Sequence, residues 1–97
     1  MSDLSVQVND TGEVILNGEI TYYTVNNALK KNILDSHTNI RVNFAGVKHS
    51  DSSGLALMVH WLREAKKSNT KMSFEAVPDK LSALAKVSNL DDILPIV

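Results

Sequence analysis

The sequence predicts an α/β fold: a mixed sheet with helices packed on one face only. Three observations carry this. Strand-like and helix-like segments alternate along the chain, which implies parallel pairs joined by helical crossovers. The first two strands are separated only by turn residues, which adds an antiparallel pair. Within every strand apolar residues alternate with polar ones, whereas a sheet covered on both faces shows nearly continuous apolar runs.

Taken in order, Leu4, Val6 and Val8 alternate with polar neighbours, and Asp10-Thr11-Gly12 supplies the turn before Val14-Ile15-Leu16, giving a hairpin. From about Thr21 to near Ser36, Val25, Ala28, Leu29, Ile33 and Leu34 fall at helical spacing, with Asn26, Lys30 and Lys31 opposite. Ile40, Val42 and Phe44 alternate with Arg41 and Asn43, and Met72, Phe74 and Ala76 with Ser73 and Glu75, so both segments read as strands with one wet face. Between them a helix is expected from about Ser52 to Lys67. Another follows Pro78, carrying Leu81, Leu84, Ala85 and Val87, before the closing Leu90-Asp91-Asp92-Ile93-Leu94. The order is β-β-α-β-α-β-α.

The chain has 97 residues, 43% of them hydrophobic, which suits one domain over residues 1–97 with one core. Ten basic and eleven acidic residues give a net charge of -1 without a basic cluster, which argues against nucleic acid as a partner. With no cysteine there is no disulfide framework, thiolate nucleophile or zinc ribbon. The N-terminus lacks a basic start and an apolar run, and no stretch approaches a membrane span, so a cytoplasmic protein held to a membrane only through partners is expected.

The most informative stretch is Asp51-Ser52-Ser53-Gly54-Leu55, which sets hydroxyls at the mouth of the central helix. One reading is structural: Asp51 or Ser52 accepts hydrogen bonds from the first free N–H groups. The other is functional: Ser52 is a docking or switch residue, since a phosphate there sits at the positive end of the helix dipole. On a helical wheel Leu55, Met58, Val59, Leu62 and Ala65 form one stripe, expected to face the sheet. Leu57 and Trp61 lie outside it, at about 200° and 240° from Leu55, and widen the apolar arc to roughly twice what one-sided burial needs. Either they pack on a neighbouring helix or they form an exposed ridge that anchors a partner. Ser53, His60 and Glu64 adjoin on the polar side. The candidate partner-binding set is Asp51, Ser52, Ser53, Leu57, His60 and Trp61, with Ser52 as a candidate phosphorylation site.

Enzymatic chemistry finds no foothold. His49, Asp51 and Ser52 lie near one another in sequence, but no Gly-x-Ser-x-Gly elbow supports a serine nucleophile. His37, His49 and His60 share no metal-ligand spacing, and the four glycines are too scattered for a phosphate loop, so no metal, no cofactor and no catalytic residue is expected. Asp91-Asp92 read as helix-start carboxylates rather than as an acid and a base.

Leu16-Asn17-Gly18-Glu19-Ile20, Ile40-Arg41-Val42-Asn43-Phe44 and Asp51-Ser52-Ser53-Gly54-Leu55 together resemble the STAS domain, shared by bacterial anti-sigma factor antagonists and sulfate transporter tails. The similarity runs from about residue 4 to residue 95. Gly54-Leu55-Ala56-Leu57-Met58-Val59-His60, Leu84-Ala85-Lys86-Val87-Ser88-Asn89-Leu90 and Leu94-Pro95 look most like the branch of small cytoplasmic subunits of Mla phospholipid ABC transporters, which maintain outer-membrane lipid asymmetry. The ending soon after Pro95 points the same way. That resemblance implies a STAS-like sheet and a non-catalytic accessory subunit. Its partner is then an MlaF-like ATPase, in a complex with an MlaE-like permease and an MlaD-like protein, at the cytoplasmic face of the inner membrane. Ser52 matches the family hydroxyl at the ATPase contact, which in anti-sigma antagonists is the phosphorylated serine, and Asp51 matches the acidic residue before it. Asn43 departs from the Asp common at the end of this strand, which is expected to weaken charge-dependent contacts near the corner. The alternative function is an anti-sigma factor antagonist regulated by serine phosphorylation.

Overall fold

The computed structural model describes residues 3–34 and 37–97. Four strands form one sheet in the order β1-β2-β3-β4: β1 (Leu4–Val8), β2 (Glu13–Ile20), β3 (Asn39–Ser50) and β4 (Lys71–Glu75). β1 and β2 are antiparallel, with Val6 opposite Leu16 and Val8 opposite Val14. Gly12 closes their hairpin at φ +85°, a left-handed conformation that disfavours a side chain. β2 runs parallel to β3 and β3 to β4, with Val14, Val42 and Phe74 in register. The crossovers carry α1 (Val25–Leu29) and α2 (Ser53–Lys67), and α3 (Asp79–Val87) follows β4.

The alternation foreseen in the strands decides which face is covered. Val14, Leu16 and Ile20 of β2, Ile40, Val42 and Phe44 of β3, and Met72 and Phe74 of β4 are buried against the helices. Phe44 and Phe74 meet edge to face, with centroids 6.1 Å apart. The intervening Glu13, Asn17, Arg41, Asn43, Ser73 and Glu75 are half-buried or exposed on the open face. The chain's last residues then protect the outer edge of β4: Phe74 N–H donates to Pro95 O at 2.9 Å and Val97 N–H to Phe74 O at 2.9 Å.

Four expectations need correction, the first being β4, which ends at Glu75 with Ala76 exposed beyond it. α1 spans Val25–Leu29, not the stretch from Thr21. The Thr24 hydroxyl accepts the Thr21 N–H at 2.9 Å and donates to Glu19 O at 2.9 Å, holding Thr21–Thr24 as a turn. The expected helix end near Ser36 falls outside the described residues. β3 continues past Phe44 to Ser50, because its pairing with β2 resumes after register shifts, matching Asn17 with Gly46 and Ile20 with Ser50. Asn43 therefore lies in mid-strand, where its amide donates to Glu13 and its oxygen accepts the Ala45 N–H. Finally, α2 is rotated about its axis. Its buried residues are Gly54, Leu57, Met58, Trp61, Leu62 and Ala65, while Leu55 and Val59 are only half-buried.

Candidate functional site

Leu57 and Trp61 do not form a surface ridge. Leu57 is 0% exposed and Trp61 1% exposed, so neither reaches a partner in this conformation. The buried arc of α2 centres near Leu57, Trp61 and Met58 because helices pack on that side as well as the sheet. Leu81 of α3 lies so close to Gly54 that a Cβ there would meet its methyl carbons at 2.9 and 3.0 Å, and it would also clash with the Ser50 hydroxyl. Residues after α1, Lys30 to Leu34, border a cavity of about 150 Å³ with Trp61, His60 and Glu64. The indole Nε1 of Trp61 is buried without a hydrogen-bond partner.

At the start of α2, Asp51 and Ser52 divide the labour the sequence left open. Asp51 Oδ1 accepts the Ser53 N–H at 2.8 Å, satisfying one of the free donors of the helix. Its Oδ2 accepts the Tyr22 N–H at 3.1 Å, tying the β2–α1 turn to the corner. Partial desolvation raises the carboxyl's pKa, but the Ser53 backbone and hydroxyl, the Tyr22 N–H and the charge of His49 outweigh it and hold the group below its ordinary value. With Asp51 acting as the cap, Ser52 makes no side-chain capping bond and stands exposed. Its hydroxyl is thereby presented outward at the first turn of the helix.

His49 is exposed and His60 half-buried. No hydrogen bond joins His49 to Ser52 among the described residues, and both oxygens of Asp51 are engaged by backbone N–H groups rather than by an imidazole. That geometry is not a triad. No three His, Asp or Glu side chains gather as metal ligands among the described residues.

Two parts of this surface escaped sequence reasoning. Tyr22 and Tyr23 are 73% and 88% exposed, stacked edge to face with centroids 5.6 Å apart, and they sit beside the corner through the Tyr22–Asp51 bond. Their signal was two consecutive aromatic residues in a polar turn of a chain with only five aromatics. The second part is a groove along the outer side of α2, where Leu55, Val59 and Arg63 face Leu90.

A family model described as "Mlab, STAS domain" matches residues 6–96. This chain belongs to the STAS domain family. Among its STAS relatives, the Intermembrane phospholipid transport system binding protein MlaB of Escherichia coli (strain K12) is 38% identical over 55 residues, 56% of this chain and 57% of that protein. The chain thus covers little more than half the length of that relative. The Anti-sigma-B factor antagonist of Staphylococcus aureus (strain NCTC 8325 / PS 47) is 29% identical over 85 residues, 84% of this chain and 79% of that protein. In three dimensions the anti-sigma factor antagonist SpoIIAA of Bacillus, in its unphosphorylated form, superposes with a TM-score of 0.73 at 18% identity, covering 97% of this chain and 87% of that one. At that identity the likeness is one of fold: the STAS sheet, with its helices on one face.

Proposed function

We propose that this STAS protein is a non-catalytic accessory subunit that binds and supports the MlaF-like ATPase of an Mla-type phospholipid ABC transporter, with an MlaE-like permease and an MlaD-like protein in the same complex. The observation that carries the reading is the exposed hydroxyl of Ser52, released from capping by Asp51, on a chain with 38% identity over 55 residues to a phospholipid transport protein. Ser52 and Ser53 form the centre of the contact, Asp51 fixes its shape, and His60 lies on its flank. Leu57 and Trp61 support the surface from beneath. No helix of the described residues is long and apolar enough to cross a membrane; in this reading the partners hold the chain at the inner membrane.

A second reading is supported by the longer alignment with the anti-sigma-B factor antagonist, 85 residues against 55. There Ser52 is phosphorylated by a serine kinase, and the added charge switches partners. Purifying the tagged protein from its native cells in mild detergent, with mass spectrometry of the partners and of Ser52, separates the two. An ABC ATPase and permease with unmodified Ser52 is the expected result. A kinase or sigma regulator with phosphorylated Ser52 would transfer the protein to the signalling branch.

A further inference from the structure

Between α2 and the segment that follows α1 lies the cavity of about 150 Å³ lined by Trp61. Its deepest residues are Ile33, 2% exposed, and Trp61, 1% exposed, with Leu29 and Leu34 half-buried beside them. Asn32 shapes this wall: its side-chain oxygen accepts the Leu34 N–H at 3.1 Å and turns the chain around the cavity. An indole carries one N–H donor and no acceptor. Nε1 of Trp61 is buried with no hydrogen-bond partner among the described residues. A buried donor left unpaired is costly, so the cavity favours an occupant that brings an acceptor.

The groups around the mouth set the charge of that acceptor. Lys30 and Lys31 are exposed and line the cavity on flexible stems, and His60 adds its ring nitrogens. Glu64, the carboxylate in the lining, lies 3.3 Å from the Nζ of Lys67, which offsets its charge. The mouth is therefore cationic, although the chain as a whole carries net charge -1. Inorganic phosphate asks for donors on every side, whereas Leu29, Ile33, Leu34 and the indole ring offer carbon. An apolar cavity of about this volume admits benzene, about six non-hydrogen atoms. We propose that the cavity binds a small carboxylate with a short alkyl end, about six non-hydrogen atoms in all. The carboxylate accepts the Trp61 N–H and pairs with Lys30 or Lys31, while the alkyl end lies against Leu29, Ile33 and Leu34. Bound there, the anion joins α2 to the segment after α1 and stabilises the folded chain by mass action. Ser52 lines no part of this cavity, so the site is independent of the proposed ATPase contact.

The chain has one tryptophan, so its proton–nitrogen NMR spectrum carries one indole resonance, which reports on the cavity directly. Sodium butyrate matches the proposed size and is titrated into the full-length protein to about 50 mM, since so small a ligand binds at about millimolar affinity. Parallel titrations at matched ionic strength use n-butanol, sodium phosphate and sodium chloride. The double variant Lys30→Gln, Lys31→Gln changes two exposed positions, and its fold is checked by circular dichroism. Butyrate is expected to shift the indole resonance downfield to saturation and to raise Tm, while the other three solutes leave the resonance in place. The double variant should bind butyrate about threefold or more weakly. An indole resonance unmoved by butyrate, or moved without saturation, overturns the site. An equal response to n-butanol makes the cavity blind to charge and overturns the anion. Saturation by phosphate in place of butyrate overturns the carboxylate, and unchanged affinity in the double variant overturns the role of the lysines.

Discussion

Replacing Asp51 by Ala removes a clamp with two arms. Its Oδ1 takes the Ser53 N–H at 2.8 Å and its Oδ2 the Tyr22 N–H at 3.1 Å, so one carboxylate joins the first turn of α2 to the turn preceding α1. Loss of a helix-capping carboxylate costs about 1 kcal/mol. The Tyr22 N–H lies at an exposed residue where water takes over its bond, so the second arm adds only about 0.5 kcal/mol. The expected destabilisation at pH 7 is therefore about 1.5 kcal/mol, or roughly 6–12 °C in Tm for a chain of this size. The same carboxylate makes that difference depend on pH. Its folded-state pKa is lowered, so its contribution is complete above the ordinary value of 3.8 and disappears as pH falls through the folded value. Urea unfolding at a series of pH values, followed by circular dichroism, measures both quantities. Wild type and Asp51→Ala should differ at neutral pH and converge in the acid range below 3.8. Asp51→Asn, which keeps an acceptor but not the charge, should fall between them at pH 7. Equal stability at neutral pH, or a gap that stays undiminished far into the acid range, would refute the clamp.

Other consequences follow from the orientation of α2. Leu57→Ala should cost about 2–5 kcal/mol, the range for a fully buried leucine, whereas the half-buried Leu55 should cost clearly less on the same change. The reverse ranking in urea melts would return Leu57 to the surface. Gly54→Ala should destabilise by about 1–3 kcal/mol, since the new methyl meets Ser50 and Leu81, and a variant as stable as wild type would contradict that close packing. The pair Tyr22→Ala, Tyr23→Ala should leave stability within about 0.5 kcal/mol while weakening ATPase binding, because both rings lie in solvent beside Asp51. Titration calorimetry showing unchanged affinity would remove the tyrosines from the docking surface.

Much of the fold was legible because alternation within strands survives into the structure: Ile40, Val42 and Phe44 of β3 and Met72 and Phe74 of β4 are buried under the helices, although Ala76, expected in the same alternation, is exposed beyond the end of β4. The start of α2 was legible too, since Asp51 accepts the Ser53 N–H where the sequence placed a helix N-terminus. What sequence pattern did not resolve is orientation. An apolar arc on α2 wide enough to hold both Leu55 and Trp61 fits either rotation, and the choice is made by contacts distant in sequence, from Leu81 and from the residues after α1. The length of α1 was overestimated for a related reason: helical spacing was present from Thr21, but the Thr24 hydroxyl offers the backbone a competing turn. The groove was hidden because Leu90 and Ile93 reach α2 only through the turn after α3.

The central claim is that the Ser52 hydroxyl is a contact point for a transport ATPase rather than a helix cap. Binding of the purified MlaF-like ATPase subunit to wild type, Ser52→Ala and Ser52→Asp, each checked for unaltered stability, tests it most directly. Wild type should bind and Ser52→Ala should bind more weakly. Ser52→Asp should lose binding about tenfold or more, because it buries an unpaired charge in the interface. Equal affinity of all three proteins for the ATPase would contradict the account.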